Sequence, residues 1–296
     1  MSRKVSPDST ITIEAALQRA SLCLREAGIE QPRDEAEILL AHLQGWNRLK
    51  LFLERSNFLD SDLVSAFRAA VERRARDEPS AYITGTKEFY GLSFAVNREV
   101  LIPRPETELL VDIVLEWART QKGELRGVDL GCGSGNLAIT LAYHLPEASF
   151  YAVDLSTGAL QLAETNALRH GVRERVHFFQ GDYLDAFSGT QPPPVFNLVV
   201  SNPPYLRSSE LENLPVTIRD YEPPLSLNGG PDGLVAYRSI LALLPRFLQA
   251  PGLMALEIGF TQGEALLSLC RKQALFHTLS LRHDYQNLPR VLIGLF

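Results

Sequence analysis

With 296 residues, 45% hydrophobic and 22% charged side chains, the chain has material for two soluble domains. Its formal net charge of -6 argues against broad electrostatic capture of nucleic acid, which wants a basic face. Cys23, Cys132 and Cys270 form no CxxC pair and no histidine sits in an HExxH helix, so neither a disulfide framework nor a metal site is expected.

The opening MSRKVSPDSTITIEAAL lacks an apolar signal core, and no run of about 18 apolar residues occurs after it, so a cytoplasmic protein without a membrane partner is expected. Residues 1–82 read as a small all-α bundle. STITIEAALQRASLCLREAG opens on capping residues and closes on Gly28. PRDEAEILLAHLQG starts with proline and acids and ends on Gly45. DSDLVSAFRAAVERRARDEP sets Leu63, Phe67, Ala70 and Val71 on one face, and Arg68, Arg73, Arg74 and Arg76 are expected to be solvated. Residues 83–104, with short apolar runs around Gly91, read as a β-hairpin linker.

From 105 to 296, helical and strand patterns alternate. Seven strand-like runs (GVDL, SFYAVD, RVHFFQGD, FNLVVS, GLMALEIG, HTLSLRHD and RVLIGLF) predict an α/β domain with a mostly parallel, Rossmann-like sheet. The last two runs have no helix between them, so the final strand is expected to be antiparallel.

Ligands of such sheets sit at the carboxyl ends of the strands. VDLGCGSGN spans Asp129, Gly131, Cys132, Gly133, Ser134 and Gly135; Asn136 stands where a dinucleotide fingerprint wants glycine. An acid at Asp129 opposes a pyrophosphate and suits a positive amino group. Asp154, which closes SFYAVD, is either a ribose acceptor or a helix cap. Asp182, next to Tyr183, can take an adenine amino group while the ring lies against the base, or can be a turn residue. An amino-acid tail, a ribose and an adenine without phosphate describe S-adenosyl-L-methionine. In NLVVSNPPYL, the run ends on Asn202, Pro203, Pro204 and Tyr205; adjacent prolines stop a strand and stiffen the backbone beyond it.

The glycine loop, Asp154, Asp182 and NPPY together resemble the class I S-adenosylmethionine-dependent methyltransferases that act on amide or exocyclic amino nitrogens. VLIPRPETELLVD, EPSAYITGTKEFYGLSFAV and DYQNLPRVLIG narrow the resemblance to the HemK/PrmC family, the protein-(glutamine-N(5)) methyltransferases of peptide chain release factors. It runs over nearly the whole chain and departs from it in the long loop SGTQPPPV. The resemblance implies methylation of the glutamine in a Gly-Gly-Gln motif, S-adenosyl-L-homocysteine as product, and a monomer whose helical domain recognises the release factor. It also implies a site in which Asn202 serves cofactor and substrate together and Arg104, Glu106 and Thr107 lie near the substrate. The corner suits that chemistry: the Asn202 side-chain oxygen and the Pro203 carbonyl can each accept an amide N–H, and Tyr205 can pack on the amide plane. The alternatives are an adenine-N6 nucleic-acid methyltransferase using the same corner on a flipped base, a ribosomal-protein glutamine methyltransferase, and a binding module without activity.

Overall fold

Capping side chains and left-handed C-caps set the helix ends of the N-terminal region. The computed structural model describes residues 11–296, which divide into two units: one running to Gly85 and including Pro215–Tyr221, the other comprising Thr86–Leu214 and Glu222–Phe296.

In the first unit, β1 (Ile11–Thr12) leads into α1 (Ile13–Glu26), then α2 (Pro32–Gln44) and α3 (Arg48–Leu53). Next come β2 (Phe58–Leu59), antiparallel to β1, α4 (Ser61–Arg74) and α5 (Ser80–Thr84). Thr12 caps α1 by accepting from the Ala15 N–H, Asp60 caps α4 by accepting from Leu63, and α2 ends on Gly45 at φ 64°. Leu17, Leu24, Leu39, Leu40, Phe67 and Val71 form the core, with Leu63 half-buried against it. Of the arginine cluster, Arg68, Arg73 and Arg76 are exposed as expected, and Arg74 is the exception. Arg74, whose side chain is 12% exposed, pairs with Glu35 of α2 at 2.7 Å because α4 packs on α2, while Arg73 makes two hydrogen bonds to Glu78 just beyond its own helix. The Pro215–Tyr221 segment belongs to this unit, and the Tyr221 hydroxyl donates to the Arg76 carbonyl at 2.6 Å.

The second unit opens with the hairpin β3 (Thr86–Phe89) and β4 (Leu92–Ala95), turning at Tyr90 and Gly91. Its next elements are α6 (Glu108–Ala118), β5 (Arg126–Leu130), α7 (Asn136–His144), β6 (Ser149–Asp154), α8 (Thr157–Arg169), β7 (Val176–Gln180) and β8 (Phe196–Ser201). The short α9 (Val216–Arg219) lies in the segment that joins the first unit. The rest is α10 (Val235–Leu243), β9 (Leu248–Glu257), α11 (Gly263–Arg271), β10 (Thr278–His283) and β11 (Pro289–Leu295). The seven strands order as β10-β11-β9-β8-β5-β6-β7. Only β11 runs against the others, pairing antiparallel with both β9 and β10, as the missing helix between the last two strands implies. It is inserted inside the sheet, a placement that strand patterns alone do not reveal.

Helices cover both faces. One face buries Leu110, Val114, Leu137, Leu141 and Phe150; the other buries Phe187, Phe196, Tyr237, Phe247 and Leu256. Phe187 is fully buried, with ring centroids 5.1 Å from Phe179, 5.5 Å from Phe196 and 5.9 Å from Tyr151. Phe187→Ala is expected to cost about 3–5 kcal/mol, read as a lower urea midpoint at unchanged slope. A cost below about 1 kcal/mol would mean that the ring cluster collapses into the gap.

Candidate active site

The sheet's switch point lies between β5 and β8. They are parallel neighbours, with Asp129 opposite Val200, yet the chain leaves β5 toward β6 and leaves β8 toward β9. Two turns therefore diverge side by side: the glycine loop into α7, and the Asn-Pro-Pro-Tyr corner. A cavity of about 290 Å³ opens there.

Its wall contains Asp129, Gly131, Cys132, Gly133 and Ser134 from the first turn, and Asp154, Asp182 and Tyr183 from the ends of β6 and β7. Asn202 and Pro204 come from the corner, Arg104 and Thr107 from the segment before α6. Gly135 is not in the wall: it sits at the N-terminus of α7 with φ 78°, and a Cβ there would fall 2.7 Å from Ile139 Cδ1. Pro203 is buried, Tyr205 half-buried and Glu106 exposed; all three lie outside the lining, and Glu106 borders a separate groove beside α6.

Four acidic residues line this space, Glu99 and the three strand-end aspartates Asp129, Asp154 and Asp182. Asp129 is 1% exposed; its Oδ2 accepts from the Ala138 N–H at 3.1 Å, while its buried Oδ1 has no partner among the described residues. Burial, with a smaller contribution from Asp154, pushes its pKa up to about 7, against the Ala138 hydrogen bond. Asp154 accepts from the Gly133 and Ser156 N–H groups, each at 2.9 Å; burial raises its pKa and these bonds oppose the rise. Capping of α8 falls to Ser156, whose Oγ accepts from Ala159. The Tyr183 ring lies against the glycine turn, since a Cβ on Gly131 would stand 3.8 Å from its Cε1. Burial holds the Cys132 thiol far above its usual range, which keeps it protonated. Among the described residues no group of three metal-ligating side chains occurs.

The corner is tied from behind. Asn202 Nδ2 donates to Thr107 Oγ1 at 3.0 Å, and the Thr107 hydroxyl donates to Glu257 Oε2 at 2.6 Å. Gln262 Nε2 donates to the Tyr205 carbonyl at 2.9 Å and to the Gly233 carbonyl at 3.1 Å. Arg104 pairs at 2.5 Å with Glu222, whose side chain is almost fully buried and whose Oε2 also accepts from the Ile102 N–H.

Residues 15–85 match the PrmC N-terminal domain family, and residues 106–217 the methyltransferase small domain family. A release factor glutamine methyltransferase of Moorella thermoacetica is 39% identical over 285 residues, covering 96% of this chain and 98% of its own length. One of Geobacter sulfurreducens is 40% identical over 283 residues, covering 96% of each. The chain belongs to the release factor glutamine methyltransferase family. Among solved structures, the hMettl16 catalytic domain in complex with MAT2A 3'UTR hairpin 6 superposes with a TM-score of 0.53 at 13% identity, covering 81% of this chain and 85% of that one. That likeness is one of fold: the class I S-adenosylmethionine-dependent methyltransferase sheet with its Rossmann-like order.

The cavity and its supports also include residues that the sequence patterns did not single out. Pro223, Pro224, Leu225 and Ser226 form one wall, and YEPPLS carries the same stiff double proline as NPPY. Glu257 ends its strand on an acid, the very pattern that singled out Asp154. Asn166, wholly buried in α8, donates to the carbonyls of Ala95 and Ser134 and accepts from the Ala95 N–H, so it pins the glycine loop to the hairpin. A lone asparagine inside a helix pattern gives no sign of that.

Proposed function

We propose that the protein transfers a methyl group from S-adenosyl-L-methionine to the side-chain amide nitrogen of the glutamine in the Gly-Gly-Gln motif of peptide chain release factors. The observation that carries this reading is the aim of Asn202. Its Nδ2 is spent on Thr107, which leaves Oδ1 as an acceptor at the wall of a cavity that also holds Asp129, Asp154 and Asp182.

The residues fit this cofactor. The unpartnered, buried Asp129 Oδ1 is an acceptor in want of a donor, and a positive α-amino group meets that want. Asp154 retains lone pairs for two ribose hydroxyls, and Asp182 with Tyr183 suits an adenine. When bound, S-adenosylmethionine supplies an electrophilic methyl on a sulfonium centre.

An amide nitrogen is a weak nucleophile because its lone pair is delocalised into the carbonyl. Asn202 Oδ1 accepts one of its N–H bonds and the Pro203 carbonyl the other, which aims the nitrogen and favours the charge it gains on attack. Tyr205 covers the amide plane and excludes water. It does not act as a base: burial, reinforced by Glu257, raises its pKa to about 12. No base is needed before transfer, since the amide proton becomes far more acidic once the methyl arrives and passes to solvent.

Residues 1–82 serve as the domain that grips the release factor, with 83–104 as linker and 105–296 carrying the chemistry. The enzyme acts as a cytoplasmic monomer without a stable nucleic-acid partner. Among the described residues no helix is long and apolar enough to cross a membrane.

Mass spectrometry of a purified release factor incubated with the protein and S-adenosylmethionine tests the reading. One methyl on the Gly-Gly-Gln peptide, lost when that glutamine is replaced, is expected. Label in DNA, RNA or a ribosomal protein, with none on the release factor, overturns it.

A further inference from the structure

Asn202 can face a substrate in two ways. Its carboxamide presents either Oδ1, an acceptor, or Nδ2, a donor, and the two ends have nearly the same shape. A substrate amide nitrogen needs the acceptor. Pocket shape cannot make that choice, so a hydrogen-bonding partner must.

The partner is Thr107, only 2% exposed, and its single proton decides the matter. That proton goes to Glu257 Oε2 at 2.6 Å, so Thr107 Oγ1 meets Asn202 only as an acceptor, at 3.0 Å from Nδ2. Glu257 is 1% exposed and stands at the carboxyl end of β9, while Thr107 precedes α6. Three elements distant in sequence thus form one line of donors and acceptors. We propose that Glu257 is a positioning residue, whose carboxylate acts through the Thr107 hydroxyl to turn the Asn202 oxygen toward the substrate amide.

The charge state of Glu257 sets the direction of the line. An ionised carboxylate only accepts, so the Thr107 proton is drawn to it. A protonated carboxyl can donate to Thr107 Oγ1 instead. The Thr107 proton is then free for Asn202 Oδ1, the carboxamide turns over, and the substrate amide meets N–H groups. The groups around Glu257 are Arg290 on β11, Arg104 and Glu106 before α6, Tyr205 at the corner, and Tyr237 on α10, whose hydroxyl donates to the Glu257 carbonyl. Arg290 is itself paired with Asp284 at 3.0 Å. Burial raises the Glu257 pKa to about 7, opposed first by the Thr107 hydrogen bond and then by Arg290. The ionised form, and the productive aim of Asn202, therefore prevail above that pH.

This inference rests on the substrate reading of Asn202, but its test does not depend on activity alone. The Asn202 side-chain amide signals are followed by NMR over roughly pH 5.5 to 8.5 in the wild type and in Glu257→Gln, alongside kcat. The wild-type signals and kcat are expected to change together with a midpoint near 7, and Glu257→Gln is expected to abolish that step in both. Thr107→Val is expected to lower kcat about 10²-fold, with cofactor affinity within about threefold, and Thr107→Ser to restore kcat to within about threefold. Should Glu257→Gln fail to fold, the two Thr107 variants decide the matter. An unchanged pH step in Glu257→Gln, or wild-type kcat in Thr107→Val, overturns the inference. If no release factor is methylated, the proposed function fails, while the NMR step still reports whether Glu257 orients Asn202.

Discussion

Asn202→Ala is expected to lower kcat about 10³-fold while leaving S-adenosylmethionine affinity within about threefold. The substitution removes the acceptor that aims the substrate nitrogen and leaves the Asp129 carboxylate and its Ala138 hydrogen bond in place. Pro203 and Pro204 remain, so the corner keeps its path, and the Thr107 hydroxyl still has Glu257 as its acceptor. The loss should therefore appear in kcat and not in folding. Single-turnover methyl transfer and isothermal titration with the cofactor measure the two halves separately. A variant that keeps turnover within about tenfold would falsify the role of this oxygen.

Asp129→Asn acts on the other half of the site. Its carboxylate is buried, holds one backbone hydrogen bond and has an unpartnered oxygen toward the cavity. Exchange of that charge for a neutral amide is expected to weaken the cofactor about 10²-fold, the scale of a desolvated charge-assisted pair. The raised pKa gives the sign of the pH effect. Below about 7 the cofactor-free enzyme holds a proton on Asp129, and a cation must displace it to bind. Wild-type affinity should therefore climb with pH up to about 7 and level off above, and Asp129→Asn should flatten that climb. The same raised pKa makes the folded protein the stronger proton binder between the ordinary aspartate value of 3.8 and about 7, so this residue's contribution to stability falls as pH rises across that window. At pH above 7 the variant, relieved of an uncompensated buried charge, is not expected to lose stability. Equal affinity in variant and wild type would remove Asp129 from the cofactor site.

Much of the second unit was legible because its strands are apolar runs punctuated by glycine and acids. Asp129, Asp154, Asp182 and Asn202 all lie at or just beyond the ends of such runs, and all four line one cavity. What the sequence concealed has physical reasons. α3 buries only Leu51 of its six residues, so it has no periodicity to read. The stretch from Ser208 to Ser226 is a succession of short turns, held by prolines and side-chain bonds, without a repeating pattern. Glu257 and Thr107 are separated by 150 residues, and only the sheet order brings them together. Their partnership depends on which strand ends are neighbours, and no local window contains that information.

The membership of Pro215–Tyr221 in the helical unit bears on how such proteins can be recombined. The chain leaves the catalytic unit after Leu214 and rejoins it at Glu222, the residue that holds Arg104 at the cavity wall. The helical unit is therefore not one contiguous gene segment. A chimera that exchanges only the first 85 residues between two relatives would join one protein's helices to the other's returning segment, with a foreign partner for the Tyr221 hydroxyl. Exchange of both segments together preserves those native pairings, and it is the natural unit for transplanting the helical body intact.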